Sequence, residues 1–324
     1  MVKPGSIPSD CLREVFSPEA IAQLRAVRQP SEYLKRRLSI LAADGSRVSN
    51  QALKHWLQWL RATKAAWDVY LEAAFASGLL GQNDSNDLLS RLVGVDDDGF
   101  RGGMAECMVC WFLAGKMGFQ VTPRPAGKGR RVLEMSASAD QSKFDVEVKA
   151  PFRPEPEGVW VGDDSDLLAE CLKQASDQFD NKTANVLFIV PRLRVSVFDL
   201  RVQLTKAFCV EEKITFAVDK RTGSICSPVE TRLFPVGSFL NPNLPSGKPK
   251  KPNGKPAHTR VSAVVCIEEQ YRESKRGGWI DHRWLVVHNP YANERVSSSV
   301  WGNCPQLIEQ NGEIFWNDGH SLSH

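Results

Sequence analysis

Long apolar runs are absent from this sequence. No uninterrupted hydrophobic stretch reaches the roughly 18 residues that a membrane-spanning helix needs, and the opening MVKPGSIPSD lacks the positive stretch and apolar core of a secretory leader. The expectation is a chain that is neither exported nor anchored. Cysteine is sparse: eight in 324 residues cannot make a disulfide scaffold. Cys107, Cys110, Cys171, Cys209 and Cys266 sit within apolar runs, where buried thiols are expected, so a reducing cytoplasm is the expected compartment. Neither sign of charge dominates, since 41 Lys and Arg against 38 Asp and Glu leave +3, and the total alone argues for neither nucleic acid nor membrane. No G-x-x-x-x-G-K-[ST] and no G-x-G-x-x-G occurs, so neither a P-loop nor a Rossmann site is supported.

What is present is a chain able to bury a sizeable core. Hydrophobic residues make up 42%, charged residues 24%, and Gly (23) and Pro (19) are ordinary, which excludes fibrous and disordered readings. The length exceeds what one core usually organises, so one large α/β domain with an appendage, or two domains, is expected.

Residues 1–95 read as helical throughout. PEAIAQLRAVRQ and SEYLKRRLSILAA come first, then a long stretch opened by Ser49 as N-cap, with Leu53, Trp56, Leu60, Trp67 and Leu71 at helical spacing until Gly78 and Gly81 stop it. Trp56, Trp59 and Trp67 could form a base-stacking platform, but aromatics at this spacing predict core. From residue 96 the order becomes a helix over 101–117, then FQVTP, RRVLEMSA, FDVEVKAP, the helix DLLAECLKQASDQF and the buried-strand run NVLFIVP. Strands alternating with helices predict an α/β sheet covered on both faces, and the short link at Asp140-Gln141 predicts an antiparallel hairpin, hence a mixed sheet. A helix in VFDLRVQLTKAF, a strand in KITFAV, and strands in VSAVVCIEEQY and WIDHRWLVVHNP are expected to extend that sheet over residues 96–324.

FDVEVKAP carries the chemistry. On a strand, Asp145, Glu147 and Lys149 project from one face while Phe144, Val146 and Val148 face the other way. Two carboxylates buried together are costly unless a cation neutralises them, and Mg²⁺ or Mn²⁺ suits carboxylate oxygens and leaves coordination sites for a phosphate oxygen and a water. Lys149 would lie beside that water.

Glu-Val-Lys on a strand after a hairpin, preceded by a helix bearing a glutamate, resembles the PD-(D/E)XK nuclease superfamily over residues 100–192. The resemblance implies a restriction-endonuclease-like fold and a Mg²⁺-dependent DNA endonuclease of restriction, phage-defence or recombination type. It implies that Glu106 is the helical acid, that Glu147 and Lys149 are the E-x-K pair, and that the second-strand acid is Glu134, 13 residues before Glu147, or Asp145. The Val148 carbonyl is a further candidate ligand. The next helix carries Gln174 and Gln178, four apart on one face, as candidates to touch phosphate or the metal-bound water. The other reading of the chain is a non-catalytic nucleic-acid-binding or assembly protein that keeps the fold. The helical residues 1–95 would then bind DNA, dimerise or hold a partner protein.

Two basic segments are candidate DNA contacts: Arg124, Lys128, Arg130 and Arg131 before the second strand, and Lys248, Lys250, Lys251 and Lys255 in the stretch 241–260, which has five prolines and no acid. Cys107-x-x-Cys110 has metal-ligand spacing, but inside an apolar helix it predicts packing rather than zinc. Asp281-His282 and His288-Asn289 do not fit an HNH nuclease in spacing or strand setting.

Overall fold

The computed structural model describes residues 10–43, 51–81, 87–123, 133–140, 142–152, 165–191, 200–208, 210–215, 219, 221–222, 224, 230–235, 258–274, 277–310 and 313–318. The expected Ser49 cap, Cys209, all of Arg124, Lys128, Arg130 and Arg131, and the lysines at 248, 250, 251 and 255 lie outside these residues.

Five helices come first: α1 (Cys11–Val15), α2 (Pro18–Arg25), α3 (Glu32–Leu41), α4 (Gln51–Ala76) and α5 (Asp87–Val93). Side-chain caps start the early ones. Asp10 accepts from the Arg13 amide, Ser17 from Ala20 and Ser31 from Leu34, each satisfying an amide that the first helical turn leaves open. In α4, Leu60, Trp67, Tyr70, Leu71 and Ala74 are buried on one stripe. Trp67 therefore meets the core expectation, whereas Trp56, on the same stripe but in the early turns of α4 where residues 53–56 are all exposed, is 46% exposed. Trp59 is covered by the Arg36 guanidinium, 5.8 Å from its ring centre.

Then come α6 (Asp97–Trp111), a π-helical turn (Phe112–Lys116), β1 (Gln120–Pro123), β2 (Met135–Ala139), β3 (Ser142–Lys149), α7 (Ser165–Ser176), β4 (Ala184–Ile189), α8 (Leu200–Phe208), β5 (Val210–Thr215), β6 (Glu230–Pro235), β7 (Ala263–Ser274), β8 (Gly277–His288), a 3-10 turn (Ser298–Trp301), β9 (Gln306–Gln310) and β10 (Glu313–Asn317). The structure is α/β. One mixed sheet of eight strands runs in the order β1-β2-β3-β4-β7-β8-β9-β10, with helices flanking it. Its β1-β2-β3 and β9-β10 pairings are antiparallel and β8-β9 is parallel. One expectation fails here. The described part of KITFAV, Lys213 to Thr215, does not extend this sheet: β5 pairs with β6 in a separate two-stranded ribbon. Alternation marks a strand without saying which strand it will join.

The chain forms two compact units. The first comprises residues 1–150, 188–192 and 266–284, and the second 151–187, 193–265 and 285–324. In the first unit α6 is the central piece, with Phe100 and every residue from Gly103 to Cys110 buried. Its start is fixed by Asp96, whose carboxylate accepts from the Asp98 and Gly99 amides, with Asp97 and Asp98 adding charge that the helix N-terminus favours. Cys107 and Cys110 are buried thiols packed in this helix; burial pushes Cys110 up to about 11, and Ser77 is its neighbour. In the second unit Asn185 is a hub, its amide donating to the carbonyls of Asp180, Thr183 and Arg260 while its backbone N–H donates to Ser262.

Candidate functional site

The β2-β3 hairpin turns in two residues, with Ala139 opposite Ser142 and Asp140 in the left-handed region at φ 47°, a conformation Asp tolerates better than most residues. That turn sets the register. Ser136 faces Asp145 and Met135 faces Val146, so Glu134, one residue before β2, comes opposite Glu147. The Glu134 carboxyl accepts the Val148 N–H at 3.3 Å. Residues Phe144 to Val148 are all buried, so β3 is covered on its charged face as well as its apolar one. Glu147 is fully buried, and its Oε1 receives the Lys149 ammonium at 2.6 Å. Lys149 keeps partial access to solvent, and its carbonyl accepts the Val190 N–H at 2.8 Å, which ties the end of β3 to the residue after β4.

Glu106 of α6 acts on Glu134 through its charge. It is met by a residue that the sequence reading overlooked, Arg91 of α5. Arg91 forks onto the Glu106 carboxylate through both terminal nitrogens, at 2.6 and 3.0 Å, and its Nε lies 3.2 Å from Asp87 one turn back on its own helix. Gly103 lets α5 pack this closely on α6. A Cβ on Gly103 would stand 3.1 Å from Leu92 and 3.2 Å from Leu88, while Gly102 lies one helical turn before Glu106 and would place a Cβ 3.5 Å from the Arg91 guanidinium. A Gly-Gly pair inside an apolar helix, four residues ahead of an acid, is the signal that could have pointed to a close helix neighbour there.

The charges are strongly coupled. Burial first, then the neighbouring Glu147, then the charge of Glu106, drive Glu134 well above the usual carboxylate range, with Lys149 pulling the other way. Burial works against the Arg91 charge, but the bond to Glu106 and the carboxylates of Glu106, Asp87 and Glu134 prevail and hold it above its ordinary value. Asp145 is buried on the same strand face, opposite Ser136. Gln174 and Gln178 belong to the other compact unit: Gln174 is exposed, 3.5 Å from Glu170, and Gln178 lies just past the end of α7.

For a hard divalent cation, the donor chemistry of Glu134 and Glu147 fits: adjoining carboxylates in a buried setting, one of them driven toward its protonated form, mark a place short of positive charge. Glu106 does not fit as it stands, because Arg91 engages both of its oxygens. Among the described residues, no three His, Cys, Asp or Glu stand where they could hold a metal together.

A cavity in the same unit is lined by Tyr33, Trp67, Tyr70, Arg101, Glu269 and Ala150, the last directly following Lys149. Tyr70 donates to Glu269 at 2.9 Å and is also bonded to His282, whose ring packs on Trp111 with centres 4.5 Å apart. No helix among the described residues is long and apolar enough to cross a membrane. Comparison with known proteins finds no family model, no curated protein and no solved structure that matches this chain.

Proposed function

We propose that the protein is a Mg²⁺- or Mn²⁺-dependent DNA endonuclease of the PD-(D/E)XK kind, with a restriction-endonuclease-like core, serving restriction, phage defence or recombination. The observation that carries this reading is the meeting of Glu134, Glu147 and Lys149 at one end of a buried strand, with Glu106 of the preceding helix in the same electrostatic cluster.

A divalent ion there would supply Lewis-acid polarisation of the phosphodiester and a water acidic enough to attack it. Glu134 and Glu147 would hold it, with Asp145 and the Val148 carbonyl as the nearest further donors along β3. Lys149 would position the attacking water and stabilise charge on the phosphorus oxygens, a role open to it because its ammonium keeps partial access to solvent. The basic segments at 124–131 and 248–255 would hold the DNA backbone.

The fork of Arg91 on Glu106 favours a second reading, a nucleic-acid-binding or assembly protein that keeps the fold without cleaving. Supercoiled plasmid incubated with Mg²⁺, Mn²⁺ or EDTA separates the two. Cleavage that needs the ion and is lost in Glu147→Ala supports the nuclease; binding without cleavage in every condition supports the alternative.

A further inference from the structure

The second compact unit holds a polar pair that the nuclease reading does not use. Ser176, the last residue of α7, has its hydroxyl 2.6 Å from Nδ1 of His258, and both residues are half-buried, so solvent reaches them. The histidine is held there against a backbone preference. His258 lies in the left-handed region at φ 56°, and its turn is tied down twice: the Val261 N–H donates to the His258 carbonyl at 2.9 Å, and the side-chain amide of Asn289, only 2% exposed, donates to the carbonyls of His258 and Val261 at 3.2 and 2.8 Å. Backbone strain fixed by a buried side chain marks a place where a side chain is being aimed. A cation completes the group. Arg260 donates to the Ser176 carbonyl at 3.3 Å and to Asn181 at 2.9 Å, which sets a guanidinium at the residue that carries the hydroxyl. Many acceptors could stitch α7 to this turn. An imidazole within hydrogen-bond reach of a hydroxyl, with a positive charge close by, is what nucleophilic catalysis asks for.

We propose that Ser176 is an activated nucleophile with His258 as its general base, that it hydrolyses carboxylic esters, and that Arg260 favours esters carrying an anionic group. This second activity does not rest on the metal-dependent reading. With its ring hydrogen on Nε2, His258 accepts the Ser176 hydroxyl at Nδ1. Ser176 Oγ attacks the ester carbonyl carbon and its proton passes to His258. The bond from that carbon to the alcohol oxygen breaks, and the alcohol leaves with the proton. Water then attacks the acyl-serine by the same route, which releases the acid and restores the hydroxyl.

The test is treatment of the full chain with a fluorophosphonate, which modifies activated serines, with the labelled peptide located by mass spectrometry. Turnover is followed as nitrophenolate released from nitrophenyl acetate and from the nitrophenyl half-ester of succinic acid. The native chain should take the label on Ser176 and hydrolyse both esters, and Ser176→Ala should lose the label and the turnover together. His258→Asn, which removes the base but keeps a side chain that tolerates left-handed backbone, should slow labelling by about 100-fold. Arg260→Gln should lower kcat/KM by about tenfold more on the succinate ester than on the acetate, the scale of one charge-assisted contact. No label on Ser176 in the native chain, or hydrolysis that survives in Ser176→Ala, overturns the proposal, and these outcomes decide it even if His258→Asn fails to fold. Labelling of a folded His258→Asn at the native rate overturns the role of His258, and an equal loss on both esters in Arg260→Gln overturns that of Arg260.

Discussion

Glu134 lies across the hairpin from Glu147, although one stands before β2 and the other near the end of β3. Burial and the neighbouring Glu147 drive Glu134 well above the usual carboxylate range, so this end of β3 is short of positive charge.

That arrangement ranks the two candidate acids. Glu134→Gln should weaken the Mg²⁺ dependence of cleavage more than Asp145→Asn, because Glu134 adjoins Glu147 while Asp145 faces Ser136. Cleavage titrated against Mg²⁺ checks this; the opposite order would move the second ligand to Asp145.

Lys149→Ala should lower the cleavage rate by more than about 100-fold, the scale of a positioned proton-transfer or charge-stabilising group. Melting should fall as well, because Lys149 is the ammonium seated on the buried Glu147 carboxylate. Single-turnover cleavage and a thermal melt, run on the same preparation, separate the two effects.

Acid should destabilise the fold through His282 and His288. Burial holds both below the usual histidine value, against Glu269 and Asp281 for the first, where Lys116 adds to the lowering, and against the Gln306 bond for the second. A histidine favoured in its neutral form contributes its stability above the unfolded value of about 6.5 and loses it as pH falls through the lower folded value. Denaturant unfolding between about pH 7.5 and 5 should show stability falling by up to about 1.4 kcal/mol per pH unit for each histidine. His282→Gln should flatten that slope.

Two neighbouring glycines should respond oppositely. Gly102→Ala gains about 0.5–1 kcal/mol of helix preference, and its Cβ meets only ordinary contact. Gly103→Val drives a branched side chain into Leu88 and Leu92, already 3.1–3.2 Å from where a Cβ would stand, and should cost about 1–3 kcal/mol. Melting temperatures of the two variants decide it.

Asn185→Ala strips a donor from three carbonyls in a fully enclosed position and should destabilise by at least about 2 kcal/mol. The expected sign is a lower urea midpoint with an unchanged slope.

Much of the order of elements was legible because it rests on periodicity and turn chemistry. The helical spacing of Leu60, Trp67 and Leu71 gave α4, and the apolar run NVLFIV gave β4. The hairpin at Asp140 was legible for the same reason, and with it the approach of Glu134 to Glu147. Partner choice was not. Nothing in KITFAV says that β5 will pair with β6 rather than join the large sheet. The β9-β10 hairpin carried an overlooked signal, Asn311-Gly312 between two alternating runs, which is the usual mark of a two-residue turn. Arg91 had no local signature, since a guanidinium 15 residues from its carboxylate belongs to no helical or strand period. The core prediction likewise held for Trp67 and missed Trp56, because periodicity shows which face of α4 is apolar but not where along the helix its cover begins.

The two-residue turn at Asp140 also bears on the order of events as the chain folds. Closing a loop costs more entropy the longer it is, so contacts near in sequence form with the least delay. Arg91 and Glu106 are 15 residues apart, and Glu134 and Glu147 are joined through one tight hairpin, whereas β4 must wait for β7 across the long stretch from residue 190 to residue 262. The charges at this site should therefore find one another while the sheet is still open to water, and the expensive burial of Glu147 comes last, over a cluster already neutralised.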